Sequence, residues 1–441
     1  MQDVVVTVVS KADPCGMAVT SGARRFVRHS GRMMRAALTL LLFVPGVALG
    51  GPEAPVIGGS NAPQGMWPAT AAILYGSASD PSAANGDPLN SFECTGVLVA
   101  PTVVLTAGHC VPGVLSDYIG DLTGVLIGAA SLSDPSAGDL IVAQNSDISQ
   151  YPNSQTSIDI GIIKLETAST MTPAPIADGW AKFDIVNGAS VEFVGFGSID
   201  KNGNTYIAQE QEAQSTITDY DCSMSSGCNA AAMPDGELGA GGSGVDTCPG
   251  DSGGGMYLLT SYGTFVAGIT SRSYADDTYA CSQGGIYERP DKIVGYIEMT
   301  TGATLAHGPM PSAATISAAT GALGTTTIDT NDPKTNEHHF AVTTPPSSGK
   351  LAVDETGDVR FCAGEAAGSD SATISVTDAN DQTRTLPITI AIDVTAGAGS
   401  GTCDVDAFPS AGCCDVGGSP SGSFVLALGV AAALVRRRAR S

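Results

Sequence analysis

The sequence predicts an all-β chain of several units, and three observations carry that prediction. Turn formers are frequent, with 55 glycines and 25 prolines in 441 residues, which suits many short strands. Aromatic residues make up 5% and charged residues 15%, too few long charged side chains for the solvated faces of helical bundles. Apolar β-branched residues alternate with polar ones, as in Leu386-Pro387-Ile388-Thr389-Ile390-Ala391-Ile392, the period of a half-buried strand. The length suggests roughly three units of about 150 residues, and 43% hydrophobic content excludes wholesale disorder.

The formal charge of −24 is unevenly spread. Six of the 20 basic residues precede residue 36 and four more are Arg436, Arg437, Arg438 and Arg440, so the body holds ten against 41 acids. A surface this acidic repels phosphate backbones and anionic lipid, which excludes nucleic acid as a partner bound through a basic face. The basic ends read as topology signals. Arg32 and Arg35 precede an apolar run over 36–49, and Ala48 and Gly50 carry the small-residue spacing of a cleavage site, so 33–50 reads as a secretory signal peptide. Residues 1–32 then fall upstream of a start at Met33 or Met34 and outside the true protein. At the other end, 423–435 is uncharged and apolar and is followed by three arginines, a stop-transfer pattern. It is shorter than the roughly 20 residues of a spanning transmembrane helix. With the preceding Gly/Ser spacer and Cys413-Cys414, it resembles the MYXO-CTERM sorting tail of myxobacterial surface proteins. That resemblance implies sorting or anchoring machinery as a partner and a tethered, exported chain. Eleven cysteines in an exported chain imply disulfides.

Three segments carry candidate chemistry. Val103-Val104-Leu105 is a β-branched run that delivers Thr106-Ala107-Gly108-His109-Cys110, with His109 at the end of the strand. Asp159 is embedded in Ile158-Asp159-Ile160-Gly161-Ile162-Ile163-Lys164-Leu165, where a carboxylate is costly to bury unless partnered. No ligand cluster supports a metal there. In Asp246-Thr247-Cys248-Pro249-Gly250-Asp251-Ser252-Gly253-Gly254-Gly255, glycines on both sides of Ser252 make a turn that frees the hydroxyl and aims backbone N–H groups at a bound oxygen.

Taken together, the order His109, Asp159, Ser252 and these segments resemble the chymotrypsin/trypsin-like serine protease family. The match runs from Val56-Ile57-Gly58-Gly59 through Trp67-Pro68 and Gly195-Phe196-Gly197 to a helix expected over 290–299. It implies two six-stranded antiparallel β-barrels with the site between them. It also implies roles: Ser252 as nucleophile, His109 as general base and acid, Asp159 as the group that orients the imidazole, and the N–H groups of Gly250 and Ser252 as the oxyanion hole. No cofactor is called for, and the implied partners are protein or peptide substrates. The competing reading is a non-catalytic surface adhesion or binding protein on the same fold.

The resemblance also frames specificity and activation. Asp246 stands where a family carboxylate pairs with Arg or Lys of the substrate, and Gly285 would leave the pocket open to a long side chain. Ser271-Arg272-Ser273 departs from the family's Ser-Trp-Gly, so Arg272 replaces an aromatic wall and could attract acidic substrate residues, and Ser273 adds a side chain at the pocket mouth. Val56 would be the mature N-terminus and would pair with Asp251, but Pro55 precedes it, so either another protease trims 51–55 or Asp251 finds a different partner. Cys94–Cys110 and Cys248–Cys281 match family bridges. Cys222 lacks its usual partner near Leu238, so a local Cys222–Cys228 loop is expected, and Cys362 and Cys403 remain as a candidate pair.

The expected organisation is therefore a protease domain over 56–300, a linker over 301–312 and an Ig-like or cadherin-like β-sandwich over 313–395 that spaces the protease from a surface. A Gly/Ser-rich linker over 396–422 and the tail over 423–441 follow. His338 and His339 read as solvated loop histidines, and Asp276-Asp277 lacks calcium-ligand spacing.

Overall fold

The computed structural model describes residues 55–76, 87–111, 121–150, 159–229, 236–397, 399 and 403–406. The readings placed on 1–50, on residues 51–54 and on the tail after residue 406 lie outside the described residues. Among the described residues no helix is long and apolar enough to cross a membrane.

Two antiparallel barrels form the first part of the chain. Strands β2 (Thr70–Gly76), β3 (Phe92–Ala100), β4 (Val103–Ala107), β5 (Asp121–Ile127), β6 (Asp139–Gln150) and β7 (Ile160–Leu165) close in the order β2-β3-β4-β7-β6-β5. Strands β8 (Ser190–Gly195), β9 (Gln211–Asp219), β10 (Glu237–Ala240), β11 (Gly255–Thr260), β12 (Gly263–Ser273) and β13 (Gly285–Glu288) form the second barrel, closed by the β8 and β9 pairing, with β1 (Ser60–Asn61) added to β9. Closure removes the exposed edges that open sheets must protect. The barrels share one core. Val194, Tyr257, Val266 and Ile269 of the second pack with Val103, Leu105, Ile160 and Ile162 of the first, and Ile293 and Ile297 join them at the Val294–Thr301 helix.

The remaining strands form a separate two-sheet unit. β14 (Ile316–Ala319), β16 (His338–Thr344), β19 (Gly368–Asp378) and β20 (Thr385–Thr395) make a four-stranded sheet in the order β14-β20-β19-β16. β15 (Leu323–Thr327), β17 (Gly349–Val353) and β18 (Asp358–Ala363) make a three-stranded one. In β20, Leu386, Ile388, Ile390, Ile392 and Val394 are buried and every intervening residue is exposed, the strand period written directly into side-chain polarity. These residues share one cluster with Phe361 and Val359 of the other sheet.

That cluster contains a residue from far upstream. Trp180, on the Gly179–Asp184 turn, is 0% exposed among the apolar residues of the two-sheet unit, and its indole N–H donates to Thr330 O at 2.7 Å. The Arg384 guanidinium lies 5.6 Å from the Trp180 ring and pairs with Asp184, Asp332 and Asp378. Residues of the 301–312 segment are laced to the barrels as well. Ala306 N–H donates to Val99 O, Trp180 N–H donates to Pro309 O, and His307 pairs with both Asp178 and Glu298. The two-sheet unit is thus seated against the barrels. His338 is also not a solvated loop residue: it opens β16, its side chain is buried, and it faces Asp332 and the Trp180 ring. Trp180→Ala should cost about 3–5 kcal/mol, the usual range for emptying a buried Trp site. Chemical denaturation of the full chain checks this, and a loss below about 1 kcal/mol would show that the seat carries no stability.

Candidate active site

The register of two strands brings His109 to Asp159. Ala107 of β4 pairs with Ile160 of β7, so the chain leaving β4 and the chain entering β7 are neighbours, and Gly108 N–H donates to Asp159 O at 2.9 Å. The next residue, on the Gly108–Cys110 turn, meets the carboxylate twice. His109 N–H donates to Oδ1 at 2.7 Å and Nδ1 lies 2.7 Å from Oδ2. Ser271 Oγ, on β12 of the other barrel, donates to Oδ2 at 2.8 Å. Burial pushes the Asp159 pKa up, but the hydrogen bonds and charge of His109 and the Ser271 hydroxyl outweigh it, and the carboxyl lies below its ordinary value. Asp159 is thereby kept ionised, which fixes the imidazole with Nδ1 as donor and leaves Nε2 free to act as a base.

Ser252 arrives on the loop between β10 and β11. Its carbonyl accepts from Thr95 N–H at 2.9 Å, and Thr95 follows Cys94, which is bonded to Cys110 beside His109. The Ser252 loop is therefore pinned within one residue of the disulfide that holds the histidine turn. Gly253 permits the close approach. Its φ is +85°, and a Cβ there would stand 2.1 Å from Thr106 Oγ1, so no other residue fits. Gly250, at φ +97°, and Ser252 line a cavity of about 250 Å³ together with Thr247, Ser271, Arg272 and Ser273. A second cavity of about 340 Å³ shares Glu93 and Tyr206 with it and is lined by Phe92, Leu132 and Phe196.

Asp246 precedes Thr247 of the cavity lining. It is 0% exposed, and its carboxylate accepts from the backbone N–H groups of Thr247, Ser282, Gln283 and Gly284. A Cβ on Gly285 would stand 3.4 Å from its Oδ1. Burial raises its pKa to about 6 against the pull of those amides. Asp251 is buried too, accepting from Gly197 and Cys248 N–H at 2.8 Å each, and burial raises its pKa to about 7. Side chains on Gly195 or Gly197 would press within 2.4 Å of this carboxylate, which accounts for the Gly-Phe-Gly sequence. Val56 is fully buried with φ 31°, a strained backbone for a β-branched residue.

Arg272 is not a free cation at the pocket rim. Its Nη2 donates to both Glu237 oxygens and to Gly227 O, and Nη1 lies 3.5 Å from Glu288. Its charge is offset before any substrate arrives, which removes the basis for a pull on acidic substrate residues. Ser273 Oγ donates to Ala280 O at the mouth. Glu237 and Glu288 went unnoticed in the sequence. The available signal was an arginine on a strand that also carries buried residues, which requires counter-charges. The disulfides are Cys94–Cys110, Cys222–Cys228, Cys248–Cys281 and Cys362–Cys403. Among the described residues two groups could approach an ion, Cys94 with His109 and Cys110, and Cys222 with Cys228 and Glu237. Their cysteines are all in disulfides, so they offer no thiolates.

Several buried carboxylates set the pH dependence of stability. Asp246, Asp251, Glu192 and Glu210 have folded values raised by burial to about 6, 7, 7 and 8. A carboxyl raised above its unfolded value binds its proton more tightly when folded, so its contribution is complete below about pH 4 and lost as pH rises through the folded value. Asp139, Asp159, Asp219 and Asp354 are lowered and contribute above about pH 4. Tm should therefore peak near pH 5 and fall by several degrees by about pH 8.5. A Tm that is flat or rising between those values would contradict this balance.

A His–Asp pair joined through Ser271 to the cavity that a serine on a glycine turn lines, on paired antiparallel barrels, fits the chemistry of a serine peptidase. The Trypsin family model matches residues 56–296, more than half of the chain, and the chain belongs to that family of hydrolases. It is similar to Brachyurin of Leptuca pugilator, 26% identical over 56% of this chain and 100% of that protein. It is also similar to Phenoloxidase-activating enzyme 1 of Spodoptera litura, 26% identical over 48% of this chain and 59% of that one. Melanization protease 1 of Drosophila melanogaster is 28% identical over 55% of this chain and 64% of that protein, so this chain spans less than two thirds of the last two. The solved structure of neuropsin from mouse brain aligns at 23% identity and TM-score 0.41 over 55% of this chain and 98% of that one.

Proposed function

We propose that the chain is an exported serine endopeptidase that cleaves after Arg or Lys. Ser252 attacks the peptide carbonyl, His109 takes its proton and returns it to the leaving amine, and Asp159 stabilises the imidazolium. The N–H groups of Gly250 and Ser252 bind the developing oxyanion, each worth about 3–4 kcal/mol of barrier. The observation that carries this reading is the bidentate contact of His109 with Asp159, made next to the Ser252 cavity.

Asp246 supports the Arg/Lys preference. Asp246 adjoins Thr247 of the cavity lining, Gly285 presents no side chain beside its Oδ1, and charge-assisted pairing of a substrate cation in a desolvated site is strong. Profiling a peptide library should return Arg or Lys before the cleaved bond, and an even distribution at that position would refute the preference.

Activation is proposed to follow a cut between Pro55 and Val56 by another protease. The strain at Val56 and the burial of Asp251, which raises its pKa to about 7, support it. A new amine at Val56 would pair with Asp251, and the backbone torsion would be released. N-terminal sequencing of active enzyme should begin at Val56, and full activity in a chain beginning at Gly51 would exclude this route. We further propose that the two-sheet unit is an Ig-like or cadherin-like sandwich and that the tail over 423–441 tethers the exported protein to a surface. Four disulfides support export to an oxidising compartment.

A further inference from the structure

The side chain of Arg272 is 42% exposed, whereas the carboxylates holding it, Glu237 and Glu288, are 1% and 0% exposed. Glu237 is itself fixed by Asn229 N–H at 2.7 Å, and Arg272 Nη2 reaches Gly227 O at 3.0 Å, so the Cys222–Cys228 loop braces the pair from outside. Toward the interior, Arg272 Nη1 donates to Ser271 Oγ at 3.2 Å, and Ser271 Oγ donates to Asp159 Oδ2 at 2.8 Å. A hydroxyl owns one proton and accepts through its lone pairs. With a cation donating into a lone pair, the Ser271 proton is committed to Asp159, and the polarised hydroxyl is the stronger donor.

We propose that Arg272 is a positioning residue for Asp159, acting through Ser271, and that Glu237 and Glu288 hold its guanidinium away from direct pairing with that carboxylate. The route Glu237, Arg272, Ser271, Asp159, His109 is an unbroken series of hydrogen bonds crossing from β10 through β12 to the edge of β7. The counter-charges matter because an unheld arginine so close to Asp159 would compete with His109 for it. The charged groups facing this route are Glu237 on β10, Glu288 on β13, Arg272 on β12, and Asp159 with His109 from the first barrel. The role rests on the serine peptidase reading of the site.

The test is the acid limb of kcat/KM against pH, measured on a single-residue ester so that upstream subsites do not enter. That limb reports protonation of the His109 and Asp159 pair. Arg272→Met removes the donor that polarises Ser271, weakens the Ser271 bond to Asp159 and so favours the protonated imidazole, and should move the limb up by about 0.5 pH unit. Glu237→Gln removes the anion that competes for the guanidinium, keeps an acceptor for Arg272, strengthens the Arg272 donation to Ser271, and should move it down. In a Ser271→Ala background both shifts should vanish, because the route is cut. Shifts that persist undiminished without Ser271, or that are absent with it, overturn the proposal. Should Arg272→Met not fold, the Glu237→Gln comparison in the two backgrounds decides alone. Active-site counting with an organophosphonate separates the two levels: a parent chain that neither labels nor turns over fails as a peptidase, whereas a labelled chain with unmoved limbs fails only the positioning role.

Discussion

Asp159→Asn should lower kcat on a peptide ester at neutral pH by about 10⁴-fold while leaving KM nearly unchanged, the scale of loss known for a wrongly held imidazole tautomer. The expectation follows from the two contacts to one side chain. Oδ1 holds the His109 backbone and Oδ2 holds its ring. An amide oriented to accept from the backbone N–H would present its NH₂ to Nδ1, which then must be unprotonated, and the proton moves to Nε2, where the base is needed. Ser271 would face the same NH₂ and lose its acceptor. The variant should remain folded, since the geometry is also held by Gly108 N–H on the Asp159 carbonyl. Stopped assays across pH check this, and a loss below about tenfold would mean that the pair does not orient the base.

Asp246→Asn should reduce kcat/KM for Arg and Lys substrates by about 10³-fold or more, with little change for apolar ones, because a desolvated partner charge is lost. The same variant removes a carboxyl whose burial already raises its pKa to about 6. Its Tm at pH 8 should therefore not fall by more than a few degrees, even though four backbone amides surround the site. Parallel kinetics on Arg and Phe esters provide the measurement. An equal loss on both substrate types would indicate a collapsed pocket rather than a lost specificity charge.

The sequence exposed what is local. The glycines around Ser252 and the β-branched run before His109 each state their geometry within a few residues, and the missing cysteine near Leu238 pointed to the short Cys222–Cys228 loop that the structure contains. Contacts between distant segments were not readable in the same way. Trp180 sits in the short Gly179–Asp184 turn, and nothing near it announces a core 150 residues later in the chain. His338 looks solvated beside His339 until β16 places it against Trp180 and Asp332. Arg272 was visible only as a departure from an aromatic, because its carboxylate partners come from β10 and β13 and lie together only after the barrel closes. Asp246 was placed near the pocket, but the four amides that bury its carboxylate come largely from the turn after Cys281, a tertiary feature.

The central claim is that Ser252 is a nucleophile activated by His109. Labelling the purified, activated chain with an organophosphonate and mapping the adduct by mass spectrometry tests it most directly. One label per chain on Ser252, abolished in Ser252→Ala and strongly slowed in Asp159→Asn, is the predicted result. A folded chain that takes no label, or that takes it on another serine, would contradict the account.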